Sequence, residues 1–247
     1  MRGVRCFFRV EYEGSDYVGW QYQPNGPSIQ AELERAFSTV VRENCKVVGA
    51  GRTDAGVHAR AQGAHVDLPS GIDLCKCQLS VNALLPAAVA VYGMRKVADS
   101  FHARFSARRR RYRYYMMERK TPLWRRRAWM VFHTVNWERV RDNAQACVGT
   151  HDFSAFCRSS TDTENMVCTV EQAALERRGE VWVFSIQADR FVYTMVRSVV
   201  GTLVDIGRGR LTESFASILA ARDRARVGET APARGLVLDY VSYDEVA

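Results

Sequence analysis

No apolar run in this chain is long enough to cross a bilayer. The densest, Leu84 to Met94, falls short of the roughly 18 residues a spanning helix needs and contains Pro86. The first fifteen residues carry Arg2, Arg5, Arg9, Glu11 and Glu13. An uninterrupted apolar segment of the signal-peptide kind is therefore missing, and a cytoplasmic protein with no membrane partner is expected. Seven scattered cysteines form no CxxC pair, and the close pair Cys75 and Cys77 has no matching Cys or His at zinc-site spacing. Five dispersed histidines offer no HExxH spacing. Reduced thiols, no metal and no cofactor are the expectation. Low-complexity linkers and internal repeats are also missing. With 47% hydrophobic and 25% charged residues, the composition excludes a wholly disordered chain, a collagen and a coiled-coil rod.

What is present is basic charge, and its placement is informative. The formal net charge is +8. Between Arg104 and Arg127 lie ten arginines and Lys120, with Glu118 as the only acid, and Tyr112, Tyr114, Tyr115, Trp124 and Trp129 sit among or beside them. A charge run is by default a solvated face. Arginine forks onto phosphate and stacks on bases, however, so arginines interleaved with aromatics favour a nucleic-acid footprint.

Periodicity predicts a mixed architecture. Val4, Cys6, Phe8, Val10 and Tyr12 alternate with Arg5, Phe7, Arg9 and Glu11 as a strand. Ser28 caps a helix with the stripe Ile29, Leu33, Phe37, Val40 and Val41. Strands are predicted at Val47-Val48, Ala64 to Leu68 and Val89 to Val97, with a helix from Leu74 stopped by Pro86. Beyond residue 100 the rhythm repeats. A strand runs over Arg111 to Glu118, and a helix carries Trp137, Val140, Ala144 and Cys147. A hairpin joins Met166 to Ala174 with Val181 to Ala188, turned at Arg178-Gly179. The stripe Val192, Met195, Val196, Val199 and Leu203 reads as an amphipathic helix, followed by a short helix at Phe215 to Ala221 and a strand at Leu236 to Tyr243. The fold class is α+β with largely antiparallel pairing, in two halves, 1–100 and 101–247, expected to share one sheet.

The segment from Val47 to His58 is the least ordinary. A strand followed by Gly49-Ala50-Gly51 suggests a dinucleotide cradle, but Asp54 stands where the third glycine is needed, and a carboxylate there repels a pyrophosphate. Three glycines around Arg52-Thr53-Asp54 instead suggest a tight loop that a substrate backbone can approach. On this segment alone Asp54 is either a turn-forming or capping aspartate or a presented carboxylate.

The run GRTDAGVHA resembles the catalytic motif of the tRNA pseudouridine synthase A family. EYEGSDYVGWQYQ (Glu11 to Gln23), SIQAELERAF (Ser28 to Phe37), SVNALLP (Ser80 to Pro86), FHARFSARRRRYRY (Phe101 to Tyr114), HDFSAFC (His151 to Cys157), FVYTMVRSVVGTLVDIGRGR (Phe191 to Arg210) and TAPARGLVLDYVSY (Thr230 to Tyr243) resemble further family segments in the same order. The stretch from Cys157 to Val181 follows no family pattern, and Arg226-Val227-Gly228 replaces a small-residue pair. The resemblance implies two ferredoxin-like halves on one sheet with a basic cleft. It implies isomerisation of uridine to pseudouridine at positions 38 to 40 of the tRNA anticodon stem-loop, by a homodimer without cofactor or metal. It also assigns roles. Asp54 is the catalytic carboxylate, attacking C1′ or C6 or assisting elimination. Tyr112 stacks on uracil and helps remove the C5 proton. Arg197 pairs with the aspartate and keeps it ionised. Arg52 enters the RNA where the base is extruded, and Leu236 or Leu238 walls the uracil. Arg104, Arg109, Arg110 and Arg111 hold phosphates. The alternatives are a non-catalytic RNA-binding protein of the same fold and a metal-dependent nuclease using Asp54 and His58. The latter lacks further carboxylates near Asp54.

Overall fold

A computed structural model describes residues 3–158 and 165–244 of the chain. These fall into two compact units, Met1–Arg108 with Val237–Ala247, and Arg109–Leu236. The first begins with strand β1 (Val4–Tyr12), whose Cys6, Phe8 and Val10 are fully buried. Phe8 meets Phe37 of helix α1 (Ile29–Val41) at a ring separation of 5.0 Å. Ser28 caps α1, its hydroxyl accepting the Ala31 N–H, as its sequence position predicts. Phe7 departs from simple alternation. It shares its face with Arg5 and Arg9, yet it is fully buried, packed edge-on against Phe101 and Tyr243. That face is therefore covered too, by aromatic residues far away in sequence.

Strand β2 (Val47–Gly49) pairs antiparallel with β3 (His58–Leu68). Periodicity places β3 only at Ala64 to Leu68, because Ala59, Arg60 and Ala61 break the apolar pattern. The strand extends to His58 because β1 pairs antiparallel with it from Val4↔Leu68 to Tyr12↔Ala59. Helix α2 (Leu74–Leu84) is capped by Asp73 and stops before Pro86, and β4 (Val89–Lys96) pairs antiparallel with β1.

The second unit is built on β5 (Ala107–Met117), with the short β6 (Trp129–Met130) parallel to it. Helix α3 (Trp137–Ala144) leads to β7 (Gly149–Asp152), then the hairpin of β8 (Val167–Arg178) and β9 (Val181–Ala188). Gly179, with φ +60°, makes that turn. β5, β9, β8 and β7 pair antiparallel in that order. Helix α4 (Met195–Gly207) is buried on nearly every side, whereas periodicity predicts one apolar stripe. Its polar residues explain the difference. Thr202 Oγ1 accepts the Gly228 N–H and Asp205 Oδ2 accepts the Glu229 N–H, so the face that looked solvated carries the 228–231 segment. Gly201 permits this approach, since a Cβ there would lie 1.6 Å from the Glu229 carbonyl oxygen. Helix α5 (Phe215–Ala221) follows.

Strand β10 (Leu236–Tyr243) closes the chain and pairs parallel with β3, at Val237↔His58 and Leu238↔Ala59. Residues 237–244 therefore group with the first unit, along with residues 101–108. A division at residue 100 assigns both stretches to the second half, because parallel pairing across most of the chain length leaves no local mark. The fold class is α+β with mainly antiparallel pairing.

Candidate active site

The loop from Ala50 to Val57 links β2 to β3 and carries Arg52 and Asp54. Its path is set from three directions. The Ala50 N–H donates to the Gly63 carbonyl at 2.8 Å, and Gln62 Nε2 donates to the Gly51 carbonyl at 2.7 Å. The buried Thr53 hydroxyl bonds the Tyr12 hydroxyl at 2.8 Å, while its carbonyl accepts the Trp20 N–H at 3.1 Å. Beyond Asp54 the chain turns, the Val57 N–H donating to the Asp54 carbonyl, and Gly56 takes φ +78°, a left-handed value that disfavours any side chain.

The segment Glu11 to Gln23 and the GRTD loop thus form one structure. Trp20 packs so closely on Gly49 that a Cβ there would come within 2.5 Å of the indole. His58 is buried, and its Nδ1 accepts the Gly14 N–H at 3.1 Å, with Glu13 Oε1 at 4.0 Å. His58 acts as a strut between the loop's exit and the turn at Gly14. This leaves Arg52 exposed and Asp54 half-buried at the surface end of a rigidly seated loop. Among the described residues, no group of three His, Cys, Asp or Glu is arranged to hold a metal ion. Arg104 is exposed and Leu238 fully buried in the same unit.

The second unit holds Tyr112, Arg197, Leu236 and the run Arg109 to Arg111. Tyr112, half-buried on β5 opposite Ile186, meets Phe191 edge-on, with ring centroids 5.1 Å apart. Two residues along, Tyr114 is fully buried and donates to the Pro232 carbonyl at 2.6 Å. Burial drives its phenol far above the ordinary tyrosine range, so the hydroxyl remains a donor. Arg197, in the first turn of α4, donates through Nε to the Ala231 carbonyl at 2.8 Å, and its own carbonyl accepts the Ala231 N–H. Arg197 and Ala231, from two of the family-like segments, are therefore joined by a pair of hydrogen bonds that makes a clasp. Leu236 is buried like Leu238. Arg109 forms an ion pair with Glu171, and Arg110 donates to the Asp189 carbonyl. Sequence reasoning missed Tyr12, Gln62 and Tyr114 as residues that seat these groups. No local signal marks Gln62, whose burial appears only in the assembled sheet.

In physical terms, this is an α+β protein that presents a carboxylate on a rigid glycine loop, together with a strand rich in arginine and tyrosine. A family model described as tRNA pseudouridine synthase matches residues 144–244. The Asp54 loop lies outside that match but inside the span shared with whole-length relatives. The tRNA pseudouridine synthase A of Bacteroides thetaiotaomicron is 40% identical over 245 residues, covering 98% of this chain and 91% of that protein. The protein of the same description from Porphyromonas gingivalis is 42% identical over 246 residues, covering 97% of each. The one from Myxococcus xanthus is 42% identical over 243 residues, covering 97% and 92%. The chain belongs to the tRNA pseudouridine synthase A family.

Proposed function

We propose that this protein isomerises uridine to pseudouridine in the tRNA anticodon stem-loop, at positions 38 to 40, with Asp54 as its nucleophile. The reaction breaks the N1–C1′ bond, rotates the uracil, joins C5 to C1′ and removes the C5 proton, while N1 regains one. Atoms balance without any co-reactant.

The observation that carries this reading is the seating of the Asp54 loop. A carboxylate that only capped a turn would need no anchors from Tyr12, Trp20 and Gln62. Such anchoring is what covalent catalysis requires, because the reacting atom must be held at attack distance. Tyr112 supplies a ring for stacking, with its orientation limited by Phe191. Arg197 keeps the role implied by the family resemblance, favouring the ionised carboxylate. Arg52 is exposed, as a side chain that enters the RNA on base extrusion must be. The reading includes a homodimer and a cytoplasmic location.

Release of tritium from tRNA labelled at uridine C5, with EDTA present, tests it. Wild-type protein is expected to release tritium. Asp54→Asn is expected to release none while binding tRNA within a few-fold of wild type. Undiminished release by Asp54→Asn removes Asp54 from the mechanism. No release by the wild type leaves the RNA-binding alternative.

A further inference from the structure

We propose that Gln62 is a positioning residue for the reacting aspartate, acting through the Gly51 carbonyl. The inference rests on Asp54 being the nucleophile.

Gln62 sits in the middle of β3, opposite Val10, and is wholly buried. Its strand neighbours Ala59, Ala61, Ala64 and Val66 are buried and apolar. A carboxamide in such surroundings is costly unless hydrogen-bonded. Gln62 forms one bond, from Nε2 to the Gly51 carbonyl oxygen at 2.7 Å, while Oε1 meets no donor among the described residues. The orientation of the amide follows from chemistry, since only its NH2 end can face a carbonyl. A methionine or leucine would fill this place without an unmatched polar atom. What the glutamine adds is its NH2 group, and a donor of that group is spent on the residue that opens Gly51-Arg52-Thr53-Asp54.

The other anchors do not duplicate this one. The Ala50 N–H bond to Gly63 holds the first residue of the loop. Tyr12 and Trp20 hold Thr53. Gly51 is gripped from the buried side by Gln62, and on the side where its Cβ would project no heavy atom lies within 4 Å. Removing the Gln62 donor loosens the incoming arm between its anchors at Ala50 and Thr53 while leaving the outgoing arm held. Asp54 would then pivot about Thr53, and a displacement of about 1 Å at a nucleophile costs on the order of 100-fold in rate.

Two variants test this. Gln62→Glu keeps the shape but turns an oxygen toward the Gly51 carbonyl; Gln62→Met removes the donor without adding charge. Both are assayed with tRNA under single-turnover conditions at saturating enzyme, below the melting temperature of each, beside Asp54→Asn. The rate constant is expected to fall by about 10- to 100-fold in each, with tRNA affinity within about twofold of wild type. A purely structural role lowers the melting temperature and leaves the rate of the folded enzyme unchanged. If Gln62→Glu does not fold, Gln62→Met carries the test alone. A wild-type rate in the folded Met variant, or a loss confined to affinity, overturns the proposal. The nucleophile reading fails separately. Turnover by Asp54→Asn sinks it, whereas an inactive Asp54→Asn beside fully active Gln62 variants sinks only the role of Gln62.

Discussion

Glu171 stands where a tRNA phosphate is proposed to bind. Arg109 Nε lies 2.6 Å from both carboxylate oxygens, and Gln187 Nε2 donates to one of them at 3.0 Å. The Arg109 bond, and then the Gln187 bond, hold the Glu171 carboxyl below the usual range. It therefore stays ionised across neutral pH. Both side chains are partly exposed, 53% and 34%, so the pair itself is worth only about 0–1 kcal/mol. For Arg109 to hold a phosphate, that pair must open. Glu171→Gln removes the competitor, so tRNA binding should tighten by at most about 1 kcal/mol, or roughly fivefold. The salt dependence is the sharper readout. If about five phosphates are neutralised, log K falls against log salt with a slope of roughly −3.5 to −4.5. An arginine already balanced by a carboxylate contributes less than a full counterion. In Glu171→Gln the slope should steepen by up to about 0.9. Fluorescence anisotropy of labelled tRNA, between about 50 and 300 mM salt, measures both quantities. Adding Arg109→Ala should cancel the gain. An unchanged slope and affinity in Glu171→Gln would refute the placement of Arg109 in the RNA footprint.

Other outcomes follow from single contacts. Gly51→Ala has space for its methyl and no positive φ to relieve, so stability should hold or rise by up to about 1 kcal/mol in a thermal melt. Turnover should nevertheless fall, if a substrate backbone approaches there; full activity in this variant removes that role. Tyr114→Phe loses the buried bond to the Pro232 carbonyl, a cost of about 1–2 kcal/mol. That should lower the melting temperature by roughly 2 to 8 °C, and an unchanged melt would count against the clasp. His65 is buried and accepts the Ala103 N–H through Nδ1. Burial first, then Arg5 and His102, lowers its pKa from 6.5 to about 4, against a small opposing effect of Asp67. The unfolded chain takes up that proton more readily. Stability should therefore be complete above pH 6.5 and decline as pH falls toward 4, with a smaller decline in His65→Gln. Equal slopes in the two proteins would place the acid sensitivity elsewhere.

Local order was legible in the residues themselves. Alternation marked β1, a serine marked the start of α1, Arg178-Gly179 marked the hairpin turn, and the bounds of α5 and β10 match the sequence reading. Such features depend on residues a few positions apart, where periodicity and cap chemistry act directly. The motif GRTDAGVHA, too, was visible as a string, and with it Asp54.

Tertiary structure alone decided what holds that string in place. The Tyr12–Thr53 bond spans 41 residues and the Tyr243–Ala103 bond 140, so neither leaves a local pattern. Phe7 looked half solvated until distant aromatics covered it, and α4 looked amphipathic until Thr202 and Asp205 met the 228–229 backbone. Gln62 lies outside the strand predicted at Ala64 to Leu68, and nothing local marks it as buried, because burial is a property of the assembled sheet and not of its neighbours in sequence. Sequence determined which carboxylate, which tyrosine and which arginines the chain possesses. Only the packed fold decided that the aspartate's loop is anchored by buried donors and that Arg109 already has a carboxylate partner. The first depends on a side chain 11 residues along the next strand, the second on a partner 62 residues away.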